Sequence, residues 1–380
     1  MKLNIDMAEA TRLTRLGKLD EAMAILRGEG PVSPSTESVS PDAPAFIDMV
    51  PGAGDGTSWR AAFDVQTEAT AVKPKFDLSD LVKRQKAFTT TGRGHSKGPA
   101  VPTGARFDDR HFTNASGSRD YKLYVPSTYG AEPVPLIVML HGCTQSVDDF
   151  AVGTRMNDLA ETHGFLVAYP VQSQTANMNR CWNWFNTSDQ HRDQGEPALI
   201  AGITLQVMND YLVDSTRVFV AGLSAGGAMA AIMGEAYPEL YAAVGVHSGL
   251  PVGAAHDMPS AFAAMSQGAS AAARRGKAVR TILFHGDADR TVHAKNGDQF
   301  LAQAGTDRLK HKVVTGTTTS GMPYTQTVLK NGASTPVIEH WRLHGAGHAW
   351  SGGAAAGSYT EPRGPDASAE MVRFFLTPTN

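Results

Sequence analysis

From about residue 105 onwards, short apolar runs alternate with segments of helical periodicity. Candidate strands lie at residues 135–140, 165–169, 217–221, 242–247, 281–285 and 337–343. Candidate helices lie near residues 148–162, 198–212, 225–236, 295–305 and 366–376. Two further short strands, 110–114 and 121–125, precede this series. Apolar strands that alternate with helices predict an α/β fold with a mostly parallel sheet covered by helices on both faces.

The first 104 residues show a different pattern. Residues 7–26 carry apolar side chains at near-helical spacing, with Gly17 between two halves, and this predicts a short helical hairpin. The hairpin would serve packing or self-association; the alternative is a targeting or docking element. Residues 28–104 are rich in Pro, Ser, Thr, Gly and Ala without sustained periodicity, which is typical of a flexible linker. We therefore expect a helical segment at 1–27, a linker at 28–104 and one α/β domain at 105–380.

Composition and charge exclude several classes of partner. With 34 basic and 37 acidic residues and a net charge of -3, the chain shows no charge excess suited to nucleic acid. Its apolar runs are far shorter than the roughly 20 residues that span a bilayer, so no membrane segment is expected. No signal peptide is recognisable in residues 1–28, which favours a cytoplasmic protein. Two cysteines are too few for a disulfide scaffold and fit a cytosolic chain or one with a single disulfide.

The segment 217–227, RVFVAGLSAGG, runs from an apolar strand through Gly-x-Ser-x-Gly into a helix of small residues. A serine on such a strained turn presents its hydroxyl at a helix N-terminus, and glycines at 222 and 226 let helix and strand approach closely. This strand-turn-helix context predicts that Ser224 is a nucleophile.

A serine nucleophile needs a general base, and the base needs a carboxylate that orients it. After a serine of this type, the acid and then the histidine are expected further along the chain, each just after a strand. The loop after strand 281–285 offers Asp287 and Asp289. Asp289 lies deeper in the loop and is the predicted acid, whereas Asp287 is expected to brace the turn or face solvent.

The loop after strand 337–343 offers two histidines, His344 and His348. His348 follows a glycine-flanked stretch that can carry the imidazole to the serine, and it is the predicted base. His344, close to the strand end, is expected to be structural. A zinc site formed by the two histidines is an alternative, but the intervening glycines disfavour the helix that such a site requires. The predicted chemistry needs neither a metal nor an organic cofactor.

Acyl transfer also needs hydrogen-bond donors for a tetrahedral oxyanion. The backbone N–H of Ala225, directly after the nucleophile, is one predicted donor. The second is expected in the loop His141-Gly142-Cys143-Thr144-Gln145 after strand 135–140, where we predict the N–H of Cys143.

These residues resemble those of a known family. The resemblance rests on five ordered motifs: 140–145 LHGCTQ, 181–185 CWNWF, 195–197 GEP, 222–229 GLSAGGAM and 347–350 GHAW. Together they are similar to the poly(3-hydroxybutyrate) depolymerase-type esterases, a family that includes feruloyl and acetylxylan esterases. The resemblance covers roughly residues 105–378 and implies an α/β-hydrolase fold. It also implies a triad of Ser224, Asp289 and His348, with oxyanion donors at Cys143 and Ala225.

The resemblance carries further expectations about the site. It places Cys181 near the mouth of the active site, and a Cys143–Cys181 disulfide is the hypothesis that follows. The aromatic side chains of Trp182, Trp184 and Trp350 are predicted to bind substrate, together with Gln145; core packing is the alternative for the aromatic residues. The segment 253–279 is expected to be either a helical cap or an ordinary surface connection.

The predicted function is hydrolysis of carboxylic esters through an acyl-enzyme. The substrate is expected to be a hydroxyalkanoate oligomer or polyester, or a short-chain or feruloyl ester. Two alternatives are a non-catalytic protein that binds polymer granules and a serine peptidase. Self-association through the N-terminal helices is a further expectation.

Overall fold

The computed structural model describes residues 49–51, 59–61, 98–269, 279–303, 309–330 and 336–378. The chain divides into two compact units, Met1–Phe88 and Thr89–Asn380. In the first unit, strands β1 (Met49–Pro51) and β2 (Trp59–Ala61) pair antiparallel, within the segment predicted to be a linker. The predicted helical hairpin at residues 7–26 lies outside the described residues.

The second unit contains a ten-stranded sheet. Its strands are β3 (Arg106–Asn114), β4 (Gly117–Val125), β5 (Val134–Leu140), β6 (Leu166–Pro170), β7 (Val213–Leu223), β8 (Ala243–His247), β9 (Arg280–Gly286), β10 (Lys310–Thr317), β11 (Pro323–Lys330) and β12 (Pro336–Leu343). The spatial order is β10-β11-β12-β9-β8-β7-β5-β6-β4-β3. The six central strands, from β12 to β6, are parallel, and an antiparallel pair flanks them at each edge. The predicted mostly parallel sheet is confirmed.

Helices cover both faces of this sheet. They are α1 (Val147–Thr154), α2 (Met156–His163), α3 (Gly195–Asp210), α4 (Ala225–Ala236), α5 (Met258–Gln267), α6 (Lys295–Gln303) and α7 (Ala367–Leu376). Successive side chains of β5 point to opposite faces, so Leu136 and Val138 pack in one core with α3 and α4. Ile137 and Met139 pack in a second core with α1, α2 and α7. Every helix in the described part of the chain falls short of the length and hydrophobicity needed to span a membrane.

The second unit differs from the predicted elements at α1 and α2 and at the hairpin of β10 and β11. The helix predicted at 148–162 is two helices, because Arg155 adopts a left-handed conformation with φ 53° between them. The hairpin of β10 and β11 was not predicted, since these strands are largely polar and partly exposed at the sheet edge. Within 253–279, residues 258–267 form α5, whose first turn is capped by Asp257.

Candidate active site

Ser224 occupies a sharp turn between β7 and α4. Its backbone, at φ 57° and ψ -119°, lies outside the ordinary regions for a non-glycine residue, and its N–H donates to the carbonyl of His247 at 2.9 Å. The turn leaves no space for side chains beside it: a Cβ on Gly226 would lie 2.1 Å from the carbonyl oxygen of Leu140. A Cβ on Gly222 would lie 2.3 Å from the carbonyl oxygen of Gly226. Both glycines of the motif are therefore required by close backbone approach.

Asp289 and His348 meet across the loops that follow β9 and β12. Nδ1 of His348 lies 2.7 Å from Oδ2 of Asp289. The other carboxylate oxygen accepts the N–H groups of Thr291 at 2.8 Å and Val292 at 2.9 Å, which fixes the carboxylate plane. Burial alone would raise the pKa of Asp289, but His348 and these hydrogen bonds hold it below its ordinary value. The carboxylate is thus buried and ionised, and it leaves Nε2 of the imidazole free to accept a proton.

A second aspartate–histidine pair lies in the same two loops. Nδ1 of His344 is 2.7 Å from Oδ2 of Asp287, and Oδ1 of Asp287 accepts the N–H of Gly345 at 2.7 Å. Nε2 of His344 lies 2.9 Å from Oγ1 of Thr325, so both ring nitrogens are occupied. In this part of the chain His344 and His348 pair with different aspartates, and among all described residues no group of three His, Cys, Asp or Glu is arranged to hold a metal ion.

The segments that carry Ser224, Asp289 and His348 all begin at one edge of the sheet. In the strand register, Leu223 lies opposite His247, His247 opposite Phe284, and Gly286 opposite Leu343. Ser224, Asp289 and His348 therefore follow neighbouring carboxyl ends, where α/β sheets bind ligands. Within the described residues no hydrogen bond joins the Ser224 hydroxyl to His348. Such contacts commonly tighten only when substrate is bound.

His247, which the sequence did not single out, connects the serine turn to the histidine loop. Its carbonyl accepts the N–H of Ser224, and its Nε2 accepts the N–H of Ser351 at 2.9 Å. The ring stacks between Phe284 and Trp350, with centroids 5.7 and 5.1 Å away. Burial lowers the pKa of His247 to about 3, so the ring is neutral and can serve as an acceptor. Its position at the end of β8 was the only signal available in the sequence.

The end of β5 and the loop after it lie close to the serine turn: a Cβ on Gly226 would be 2.1 Å from the carbonyl oxygen of Leu140 and 2.6 Å from that of His141. His141 shapes this loop: its Nδ1 donates to the Gly142 carbonyl at 2.8 Å, and its Nε2 accepts the N–H of Gln172 at 3.1 Å. Burial lowers the pKa of His141 to about 4 and keeps it neutral. The N–H groups of Cys143 and Ala225 donate to no acceptor among the described residues.

A second segment, residues 181–183, is tied to the same loop. A disulfide joins Cys181 to Cys143, and Nε1 of Trp182 donates to the carbonyl of His141 at 3.1 Å. Glu196 holds this segment by accepting the N–H of Asn183 at 2.7 Å and its Nδ2 at 2.8 Å. Burial raises the pKa of Glu196 to about 7. The motif residues of 181–185 and 195–197 thus position the loop that carries Cys143.

The four predicted substrate-binding side chains are buried in the structure. Trp182 and Trp350 are 0% and 1% exposed, and Nε1 of Trp350 donates to Oγ of Ser368 at 3.0 Å inside the core. Gln145 is 3% exposed, and its Oε1 accepts the N–H of Gly142 at 3.0 Å. Trp184 packs edge-on against Phe185 and is also buried. Packing and internal hydrogen bonds thus use most of the surface of these four side chains, and their binding of substrate stays a prediction.

The fold and the serine turn at the carboxyl edge of its sheet define an α/β-hydrolase. Residues 119–321, more than half of the chain, match the family model described as esterase PHB depolymerase. The chain belongs to this family, as the resemblance of its motifs predicted.

Relatives carry the names of ester hydrolases. The chain is 32% identical over 253 residues to poly(3-hydroxyalkanoate) depolymerase C of Paucimonas lemoignei, over 62% of this chain and 59% of that protein. It is 32% identical over 169 residues to a probable acetylxylan esterase A of Aspergillus fumigatus, over 44% of each chain. The chain therefore spans less than two thirds of each of these relatives.

One solved structure supports the fold. An acetyl xylan esterase from Aspergillus awamori matches with a TM-score of 0.56 and 21% sequence identity, over 71% of this chain and 98% of that one. At this identity the match bears on the fold alone.

Proposed function

We propose that this protein is a serine esterase that hydrolyses carboxylic esters through an acyl-enzyme on Ser224. The observation that carries the proposal is the arrangement at the carboxyl edge of the sheet: a serine on a strained turn, followed in adjacent loops by a buried aspartate hydrogen-bonded to a histidine. Membership of the esterase PHB depolymerase family supports the same chemistry.

In the first half-reaction, Oγ of Ser224 attacks the carbonyl carbon of the ester while Nε2 of His348 takes the hydroxyl proton. Asp289 holds the imidazole in the tautomer that this step needs and stabilises the imidazolium. The N–H groups of Cys143 and Ala225 donate to the oxyanion of the tetrahedral intermediate, where one donor contributes roughly 3–4 kcal/mol. His348 then protonates the departing alkoxide, and the alcohol leaves.

In the second half-reaction, water attacks the acyl carbon and gives its proton to His348. The tetrahedral intermediate collapses, His348 returns the proton to Oγ of Ser224, and the carboxylic acid leaves. At the end of the cycle every residue has returned to its starting protonation state. Ester and water are therefore the only reactants.

For the substrate, we propose a hydroxyalkanoate oligomer or polyester, or a short-chain or feruloyl ester. The names of the relatives, a poly(3-hydroxyalkanoate) depolymerase and acetylxylan esterases, support an ester within this range. A panel of hydroxybutyrate oligomers, acetylated xylan, methyl ferulate and short p-nitrophenyl esters would identify the acyl group by comparison of kcat/KM.

The central test is the Ser224→Ala variant. We expect kcat for p-nitrophenyl butyrate to fall by about 10⁵- to 10⁶-fold, because the nucleophile is lost, while the thermal unfolding midpoint stays near that of the wild type. Ser266→Ala, which removes an exposed serine of α5, is the matched control and should keep full activity.

Three outcomes would contradict the proposal. Wild-type turnover by Ser224→Ala would exclude this serine as nucleophile. Absence of a burst and of turnover with every ester would favour a non-catalytic binding protein. Equal hydrolysis of an ester and its matched anilide would favour a peptidase.

A further inference from the structure

Two non-glycine residues with left-handed backbones meet beside the candidate active site. Thr144 has φ 67° and Tyr359 has φ 52°. Their side-chain oxygens lie 3.3 Å apart. A positive φ is rare for a β-branched or aromatic residue, and such outliers persist where the surrounding structure imposes them, most often at functional sites. Neither residue has a role in the ester-hydrolysis steps described above.

Tyr359 is held against the histidine loop. Its carbonyl accepts the N–H of Trp350, two residues after His348, at 2.6 Å. Directly after Tyr359, the short strand β14 (Thr360–Glu361) pairs in parallel with β13 (Trp350–Ser351). The preceding residue, Ser358, donates its N–H to Asp149 at 2.9 Å. The backbone at Tyr359 is therefore fixed by contacts on both sides.

Thr144 belongs to the loop that carries Cys143. It follows Cys143 directly, and its N–H donates to the carbonyl of Asn179 at 2.8 Å. Thr144 is exposed and Tyr359 is half-buried, whereas the neighbouring Gln145 is buried. The two hydroxyls thus lie at the surface, between the loop that carries Cys143 and the loop that carries His348.

We propose that Thr144 Oγ1 and Tyr359 OH bind a hydroxyl group of the substrate adjacent to the scissile ester, so that hydroxylated esters are the preferred substrate class. The proposal rests on the proposed esterase function and specifies its substrate. Each hydroxyl can both donate and accept a hydrogen bond. At 3.3 Å their mutual contact is long for an O–H···O bond, which has its mode near 2.7–2.8 Å, so a substrate hydroxyl replaces a weak interaction with two stronger ones.

The test compares substrates that differ in one hydroxyl. On the acyl side, the pair is p-nitrophenyl 3-hydroxybutyrate and p-nitrophenyl butyrate. On the alcohol side, the pair is 2-hydroxyethyl butyrate and propyl butyrate. We expect the wild type to favour the hydroxylated member of at least one pair, and that pair identifies the side of the ester on which the hydroxyl lies.

Tyr359→Phe and Thr144→Val remove the hydroxyls with little change of shape. Each should lower kcat/KM for the hydroxylated substrate about tenfold and leave the unhydroxylated one within about twofold. Tyr129→Phe, which removes a phenol hydroxyl that accepts the N–H of Leu212, is the control and should leave both ratios unchanged.

Two results would overturn the proposal while leaving the esterase function intact. One is a wild type with no preference in either pair. The other is an equal loss for both members of a pair in Tyr359→Phe, which would make the contact a structural link between the loops. By contrast, a wild type that hydrolyses none of the four esters would overturn the esterase function and this proposal with it.

Discussion

At the scale of single residues, burial distinguishes two aspartate–histidine pairs that have the same chemistry and the same 2.7 Å separation. The Asp289 side chain is 0% exposed and that of His348 13%, whereas the side chains of Asp287 and His344 are 38% and 37% exposed. Water competes for the exposed Asp287–His344 pair and screens its charges. The second ring nitrogen of His344 is occupied by Thr325. Of the two pairs, only Asp289–His348 combines a desolvated carboxylate with a second ring nitrogen that has no hydrogen-bond partner among the described residues.

Asparagine substitutions at the two aspartates separate their roles. Asp289→Asn should lower kcat for p-nitrophenyl butyrate about 10³- to 10⁴-fold, because the amide stabilises neither the required imidazole tautomer nor the imidazolium. Asp287→Asn should leave kcat within about threefold, since Asp287 contacts His344 and Gly345, neither of which takes part in the proposed chemistry. Steady-state kinetics with thermal melts of both variants provide the measurement. Equal losses in kcat would contradict the assignment of Asp289.

At the scale of elements, the end of β8 couples two loops that are far apart in the sequence. The backbone of His247 anchors the serine turn, and its ring accepts the N–H of Ser351, which is 0% exposed. A buried N–H without an acceptor costs about 1–3 kcal/mol. The single ring therefore contributes both to stability and to the placement of the loop that carries His348.

Two substitutions at this position test whether the acceptor is what matters. His247→Phe keeps a stacked ring but removes the acceptor, and we expect about a tenfold fall in kcat with KM within about twofold and a loss of about 1–3 kcal/mol in the free energy of unfolding. His247→Gln offers an oxygen near the position of Nε2 and should recover most of kcat. Kinetics and urea unfolding measure the two effects. A glutamine variant as impaired as the phenylalanine variant would refute the positioning role.

At the scale of the whole molecule, buried ionisable groups make stability depend on pH. Burial lowers the pKa of His141 to about 4, of His247 to about 3 and of His340 to about 4. Between these values and about 6.5 the unfolded chain binds more protons than the folded one, so stability falls with falling pH. Glu196, with a pKa raised by burial to about 7, acts in the opposite direction: its contribution is lost as pH rises from about 4.5 to 7. In this pH range Glu196 offsets the pH dependence of stability that one buried histidine contributes.

We therefore expect the free energy of unfolding to decrease as pH falls from 6.5 to 4.5, with each buried histidine contributing at most about 1.4 kcal/mol per pH unit. His340→Leu removes one such group, which has no part in the proposed chemistry, and should reduce the slope by one histidine's share. Urea unfolding at several pH values measures this slope. An unchanged slope in His340→Leu would show that His340 does not contribute.

Local pattern predicted the features that depend on short stretches of chain. The apolar runs of β5, β7 and β9 identify buried parallel strands by themselves, because both of their faces must be covered. The turn at Ser224 follows from glycines whose backbones leave no space for a Cβ. The candidate acid and histidine could be located because they follow strands that end at one edge. The polar hairpin of β10 and β11 escaped prediction, since an edge pair needs no apolar run.

The amino-acid sequence by itself determined the α/β architecture, the serine turn and the two loops that carry Asp289 and His348, because strand periodicity, glycine sterics and chain order are local properties. Only the tertiary structure decided which side chains are exposed at the site. It buried Trp182 and Trp350 in the cores, made His247 the link between two loops and brought Tyr359 to Thr144 across 215 positions of the chain. These outcomes depend on packing between distant segments, which no local pattern encodes.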